Sequence, residues 1–114
     1  MLIVDDDEAF VRVASELLHD RGYRVVGQAN SAAEAVAGAA ELKPDAVLLD
    51  VHLPDKDGLV VAAELSRQEQ PPVVLLTSAD GRAVYDDLVL GCAVVGFVAK
   101  AELATADLDA YLRR

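Results

Sequence analysis

The chain alternates between short runs of consecutive apolar residues and longer stretches in which apolar residues recur every third or fourth position. Leu2-Ile3-Val4 is the first run and breaks off in Asp5-Asp6-Asp7-Glu8. This predicts a buried strand opening into an acidic loop. Phe10, Val13, Ala14, Leu17 and Leu18 follow at the i, i+3, i+4, i+7, i+8 spacing of one helix face, and Gly22 stops that helix. Arg24 to Ala29, with Val25-Val26 inside it, predicts a second strand. Ser31-Ala32-Ala33-Glu34 is a capping box. It opens a helix with Ala32, Ala35, Val36 and Ala39 inward, ended by Lys43-Pro44.

Ala46-Val47-Leu48-Leu49 is the third strand and it too ends on an aspartate, Asp50. Leu53-Pro54-Asp55 forces a loop before a helix that starts near Asp57, faces Val61, Ala62 and Leu65 inward, and is terminated by Pro71-Pro72. Val73-Val74-Leu75-Leu76 is the fourth strand, ending at Thr77-Ser78. A short, weakly periodic helix is expected from about Arg82 to Leu90. Val94 to Ala99 is the fifth strand, ending at Lys100, and a last helix carries Ala104, Leu108, Tyr111 and Leu112 on one face. Strands that are apolar throughout predict a parallel sheet covered on both faces. Their alternation with helices predicts a doubly wound α/β fold.

Composition narrows the function. With 114 residues the chain is expected to form one domain, residues 1–114, and only Arg113-Arg114 follow the last helix. A 54% apolar composition excludes a disordered chain. No apolar run approaches the ~18 residues that cross a bilayer, and no basic region followed by an apolar stretch marks a secretory signal. Cys92 is the single cysteine and cannot form an internal disulfide. That fits a cytoplasmic location, and Cys92 reads as a small buried apolar group. A net charge of −10 repels nucleic acid, so any action on DNA would run through another domain or protein.

The chemistry gathers at the strand ends. In an open parallel sheet, ligands bind at the carboxyl ends of the strands, near the switch in strand order. Four strands end there in polar groups: Asp5-Asp6, Asp50, Thr77-Ser78 and Lys100. Two carboxylates within ~4 Å repel by about 4 kcal/mol at an effective dielectric near 20. A hard divalent cation relieves that repulsion, and a site with few protein ligands suits Mg²⁺ better than Ca²⁺. An aspartate can be a nucleophile and form an acyl phosphate. Lys100 offers a mobile counter-charge for phosphate, and the Thr77 hydroxyl can donate to a phosphoryl oxygen. No serine–histidine or cysteine–histidine pair competes. His19 lies on a helix face and reads as solvated, and Tyr85 and Tyr111 read as packing or surface residues.

These residues resemble the response-regulator receiver domains of two-component signalling. The likeness rests on Ile3-Val4-Asp5-Asp6, the run from Leu48 through Asp50-Val51-His52-Leu53-Pro54 to Asp57-Gly58, Leu76-Thr77-Ser78, and Gly96-Phe97-Val98-Ala99-Lys100. The resemblance spans the whole chain. It implies a (βα)5 flavodoxin-like fold with strand order 2-1-3-4-5. It implies that Asp50 accepts a phosphoryl group from a sensor histidine kinase. Asp5, Asp6 and Asp50 would hold Mg²⁺ with the backbone carbonyl of His52, whose imidazole would hang over the mouth of the site. Thr77 and Lys100 would engage the phosphoryl group, and Thr77 with Phe97 would form the switch. The partner-binding face would lie within residues 82–112, for an effector protein or a second copy of the chain.

Three positions depart from the family pattern. Ala101 stands where proline is common, Ser78 replaces the more usual alanine, and the stretch from Gly91 to Gly96 is long for its connection. The ending Gly96 to Leu103 is similar to a group of stand-alone actinobacterial receivers. Two alternatives compete. The run Leu2 to Asp7 also fits the start of a haloacid-dehalogenase-like phosphatase, but Ala9 stands where threonine or valine is usual. The late acidic pair Asp86-Asp87 also falls in the expected helix instead of after a strand. A pseudo-receiver binding module would usually lose the acceptor aspartate or an acidic partner, and here all five positions are filled.

Overall fold

A strand made only of apolar residues needs cover on both faces, and the arrangement of helices here supplies it. A computed structural model describes residues 1–79 and 94–112. In chain order the elements are β1 (Leu2–Val4), α1 (Glu8–Asp20), β2 (Gly27–Ala29), α2 (Ala32–Leu42), β3 (Ala46–Asp50), α3 (Gly58–Ser66), β4 (Val73–Ser78) and β5 (Val94–Ala99). A 3₁₀ turn at Lys100–Glu102 and a final helix α4 (Leu108–Leu112) complete the described elements. All strands pair in parallel, in the order β2-β1-β3-β4-β5. This is the flavodoxin-like order that the resemblance implies. The direction of strand addition reverses between β1 and β3, which makes their carboxyl ends the switch point.

Successive residues of a strand point to opposite faces, and the core divides accordingly. Leu2, Val4, Val47, Leu49, Val74 and Leu76 pack with Ala32, Ala35 and Ala39 of α2 and Val61, Ala62 and Leu65 of α3. Ile3, Ala46, Leu48, Leu75 and Val98 pack on the other side with Val11, Ala14 and Leu18 of α1, and with Leu103 and Leu108. Each large side chain buried this way contributes about 1.5–3 kcal/mol.

Several sequence expectations shift. Val13 is 61% exposed, and Val11 takes the inward place. The apolar stripe of α1 therefore runs through Val11, Ala14 and Leu18. The second strand is confined to Gly27–Ala29, and Val26 is an exposed residue ahead of it. Helix α3 ends at Ser66, well before Pro71-Pro72, with Arg67 as its C-cap. Ala104 is exposed in the turn before α4, and Leu103 is the buried residue there. The expected helix Arg82–Leu90, with Tyr85, Asp86-Asp87 and Cys92, lies outside the described residues.

Candidate functional site

Strand register explains why the polar strand ends meet. Ile3, Leu48, Leu75 and Val98 all belong to the α1-side cluster. Two residues further along each chain stand Asp5, Asp50, Thr77 and Lys100. With a side-chain period of two, all four continue rows of the α1 face. Asp50 is paired directly with Thr77, and Thr77 with Val98. One polar residue closes each apolar row at the same end of the sheet.

Asp5, Asp50 and Thr77 are buried, whereas Asp6 is exposed. One carboxylate oxygen from each of Asp5, Asp6 and Asp50 lies within 4.8 Å of the others. Lys100 Nζ is 2.6 Å from Asp5 Oδ2 and 3.5 Å from Asp50 Oδ2, so one ammonium faces two buried carboxylates. Burial pushes the Asp50 carboxyl above its ordinary range. The His52 N–H opposes this by donating to Asp50 Oδ1 at 3.1 Å, the Asp5 charge adds to the rise, and Lys100 opposes it. For Lys100, burial alone would lower the value, but the bond to Asp5 and the charge of Asp50 outweigh it and the ammonium is held above its usual range.

The remaining loop acids have different work. Asp7 caps α1, its Oδ1 accepting from Ala9 N at 3.1 Å and Phe10 N at 3.2 Å. Asp57 caps α3 by accepting from Leu59 N at 2.8 Å. Asp55 reaches across to α2, where its two oxygens accept from Ala32 N at 2.8 Å and Ala33 N at 3.2 Å. Those bonds, Ala32 first, hold the Asp55 carboxyl below its usual range. Ser31 Oγ accepts from Glu34 N at the same helix start, as the capping box predicts.

The loop after β3 is pinned from both sides. Val51 N donates to Thr77 O at 2.9 Å and Gly58 N to Val51 O at 2.7 Å. Gly58 has no room for a side chain. A Cβ there would run into the Asp50 carbonyl oxygen and lie 2.7 Å from Val51 Cα. The sequence motif included Gly58 but gave it no role. Its requirement comes from tertiary approach, which spacing alone does not reveal.

Every strand-end residue singled out from the sequence is therefore at this end of the sheet. Thr77 Oγ1 is buried without a hydrogen-bond partner among the described residues. Ser78 is buried beside it. The His52 side chain is exposed, and its backbone forms an isolated antiparallel bridge with Asp57. Phe97 sits across from Leu76 and packs against the α2/α3-side cluster, on the face opposite the Thr77 row. Helical spacing marks Phe10 only as a helix-face residue, yet Lys100 Nζ lies 4.6 Å from its ring centroid.

The donor set fits a hard divalent cation. Its side chains offer carboxylate oxygens, a single lysine among the described residues offsets only part of their mutual repulsion, and a buried hydroxyl stands at the paired strand end. Among the described residues, no helix is long and apolar enough to cross a membrane.

Comparison with known proteins agrees with this geometry. The family model for the response regulator receiver domain matches residues 1–113. A protein-glutamate methylesterase/protein-glutamine glutaminase of Archaeoglobus fulgidus is 36% identical over 95% of this chain and 32% of its own length. The signal receiver domain of the putative response regulator NarL from Mycobacterium tuberculosis superposes with a TM-score of 0.81. It is 32% identical over 99% of this chain and 95% of that one. A response regulator from Burkholderia pseudomallei, solved with a phosphorylated aspartic acid, a calcium ion and citrate, superposes with a TM-score of 0.80. It is 27% identical over 96% of this chain and 64% of that one. The chain spans less than half the length of the curated relatives it matches. A sheet in the order 2-1-3-4-5, an acidic switch point and a match over nearly the full sequence place this chain in the response-regulator receiver-domain family.

Proposed function

We propose that residues 1–114 act as one receiver domain in which Asp50 is the phosphoacceptor. The observation that carries this reading is the position of Asp50: buried at the end of β3, facing Asp5, Asp6 and Lys100, and paired with Thr77. An Asp50 carboxylate oxygen attacks phosphorus as the bond from phosphorus to a kinase histidine nitrogen breaks. The product is an acyl phosphate on Asp50, and the electron pair leaves with the imidazole. Lys100 moves from the carboxylates to the phosphoryl oxygens, and the Thr77 hydroxyl, which has no partner among the described residues, donates to another of them. Asp5, Asp6 and Asp50 would hold Mg²⁺ with the His52 carbonyl. When bound, the ion neutralises charge on the carboxylates and the phosphoryl oxygens. Hydrolysis of the acyl phosphate by water resets the domain, so the chain turns over its own phosphoryl group and no separate substrate.

The signal leaves through Thr77 and Phe97, which lie on neighbouring strands at adjacent register positions. Drawing Thr77 toward the phosphoryl group shifts the end of β4, and the Phe97 ring, on the opposite face of the paired strand, turns in response. The face bordered by β5 and α4 then changes for an effector or a second copy of the chain. The setting is the cytoplasm, with a sensor histidine kinase as donor.

Intact mass after incubation with acetyl phosphate and Mg²⁺ tests the assignment. Wild type gains one phosphoryl group per chain, and Asp50→Ala gains none. A label retained in Asp50→Ala, or catalytic release of phosphate from small esters, overturns it.

A further inference from the structure

Lys100 has a third neighbour that carries no charge. Its Nζ stands 4.6 Å from the centroid of the Phe10 ring, within the range of a cation–π contact. Its backbone is anchored in the first turn of α1, where Phe10 N donates to the capping carboxylate of Asp7, and the side chain packs against the α1-side core. We propose that Phe10 is a positioning residue that keeps the Lys100 ammonium at the site once a divalent cation has claimed the carboxylates and until phosphoryl oxygens take their place. This rests on the reading of Asp50 as phosphoacceptor and deepens it.

In the structure, Lys100 is balanced by Asp5 and Asp50. Both are groups that a divalent cation would claim before a phosphoryl group arrives to receive the ammonium. Lysine is a flexible four-carbon stem with about 2 kcal/mol of rotamer entropy. Without another attraction, the released ammonium gains by moving into water. A third carboxylate could hold it, but would add repulsion to the acidic cluster and bind the metal itself. An aromatic ring attracts the ammonium without a formal charge and without acting as a metal ligand. The Lys100 side chain is 15% exposed, so the contact is largely shielded from solvent. Phe10 also packs partly against the α1-side core. A leucine at this position would preserve that apolar contact and lose the ring.

The test compares Phe10→Leu with Phe10→Tyr. In metal-free protein, ring current should shift the Lys100 ε-methylene protons upfield in wild type and Phe10→Tyr. In Phe10→Leu they should return to the ordinary position. With saturating Mg²⁺ and acetyl phosphate, the initial rate of Asp50 labelling should fall about fivefold in Phe10→Leu and stay near wild type in Phe10→Tyr. A series of increasingly fluorinated phenylalanines at position 10 keeps the ring's shape while weakening its attraction for a cation. It should slow labelling step by step, and it serves if Phe10→Leu does not fold. An unshifted Lys100 in wild type, or labelling rates unaffected by leucine or by fluorination, overturns the proposal. Failure of the phosphoacceptor reading is seen separately, as wild type that takes no label or Asp50→Ala that keeps it.

Discussion

Asp7, Asp55 and Asp57 differ from Asp5, Asp6 and Asp50 in what their carboxylates face. The first three are exposed and accept from backbone N–H groups at the starts of α1, α2 and α3. Helix starts leave such donors unsatisfied and carry a partial positive charge, so an aspartate there stabilises the fold. The other three face one another within 4.8 Å, and two of them are buried. Their only cation among the described residues is Lys100. The same residue type at the same end of the sheet thus supports folding in one group, whereas in the other burial and the Asp5 charge set Asp50 against it. A fold would not need the second group, and its presence marks chemistry instead of architecture.

The largest expected loss falls where the two groups join. Gly58 begins the α3 helix capped by Asp57 and lies against the backbone of Asp50. Gly58→Ala should cost about 3 kcal/mol in urea unfolding, because the obstructing atoms are backbone and cannot rotate away. Removing single caps comes next. Asp7→Ala and Asp57→Ala should each lose about 1 kcal/mol. A cap variant that gained stability would erase the distinction between the two groups. Asp55 should show the smallest effect, visible mainly through pH. Its carboxyl is held below the ordinary value, so its contribution is present above the unfolded value and is lost as pH falls through the folded one. The melting difference between wild type and Asp55→Ala should therefore narrow on acidification, as thermal melts across the acid range would show.

How far the sequence alone reaches differs between these parts of the molecule. The apolar runs of β1, β3, β4 and β5 are readable because no polar residue interrupts them before their carboxyl ends. β2 is an edge strand with half-buried and exposed positions, so Val25-Val26 outweighs the true strand Gly27–Ala29. On α1 the apolar residues Phe10, Val11, Val13 and Ala14 admit two overlapping stripes, and packing against Ile3 and Leu48 selects the one containing Val11. The site residues are legible because each terminates an apolar run. Asp55, Gly58 and Phe10 are not, because their roles are contacts with other elements: the start of α2, the Asp50 backbone and the Lys100 ammonium.

The central claim is that Asp50 costs stability until a cation arrives. Burial first, then the Asp5 charge, raises its carboxyl value, so its favourable contribution is present at low pH and is lost as pH rises through that raised value. Thermal and urea melts of wild type and Asp50→Asn, with and without Mg²⁺ at neutral pH, test this directly. Metal-free Asp50→Asn should be about 1 kcal/mol more stable than wild type. Mg²⁺ at a hundred times its dissociation constant should then add about 2.7 kcal/mol to wild type and much less to the variant, reversing their order. Metal-free Asp50→Asn melting below wild type, with the same Mg²⁺ gain in both proteins, would contradict the account.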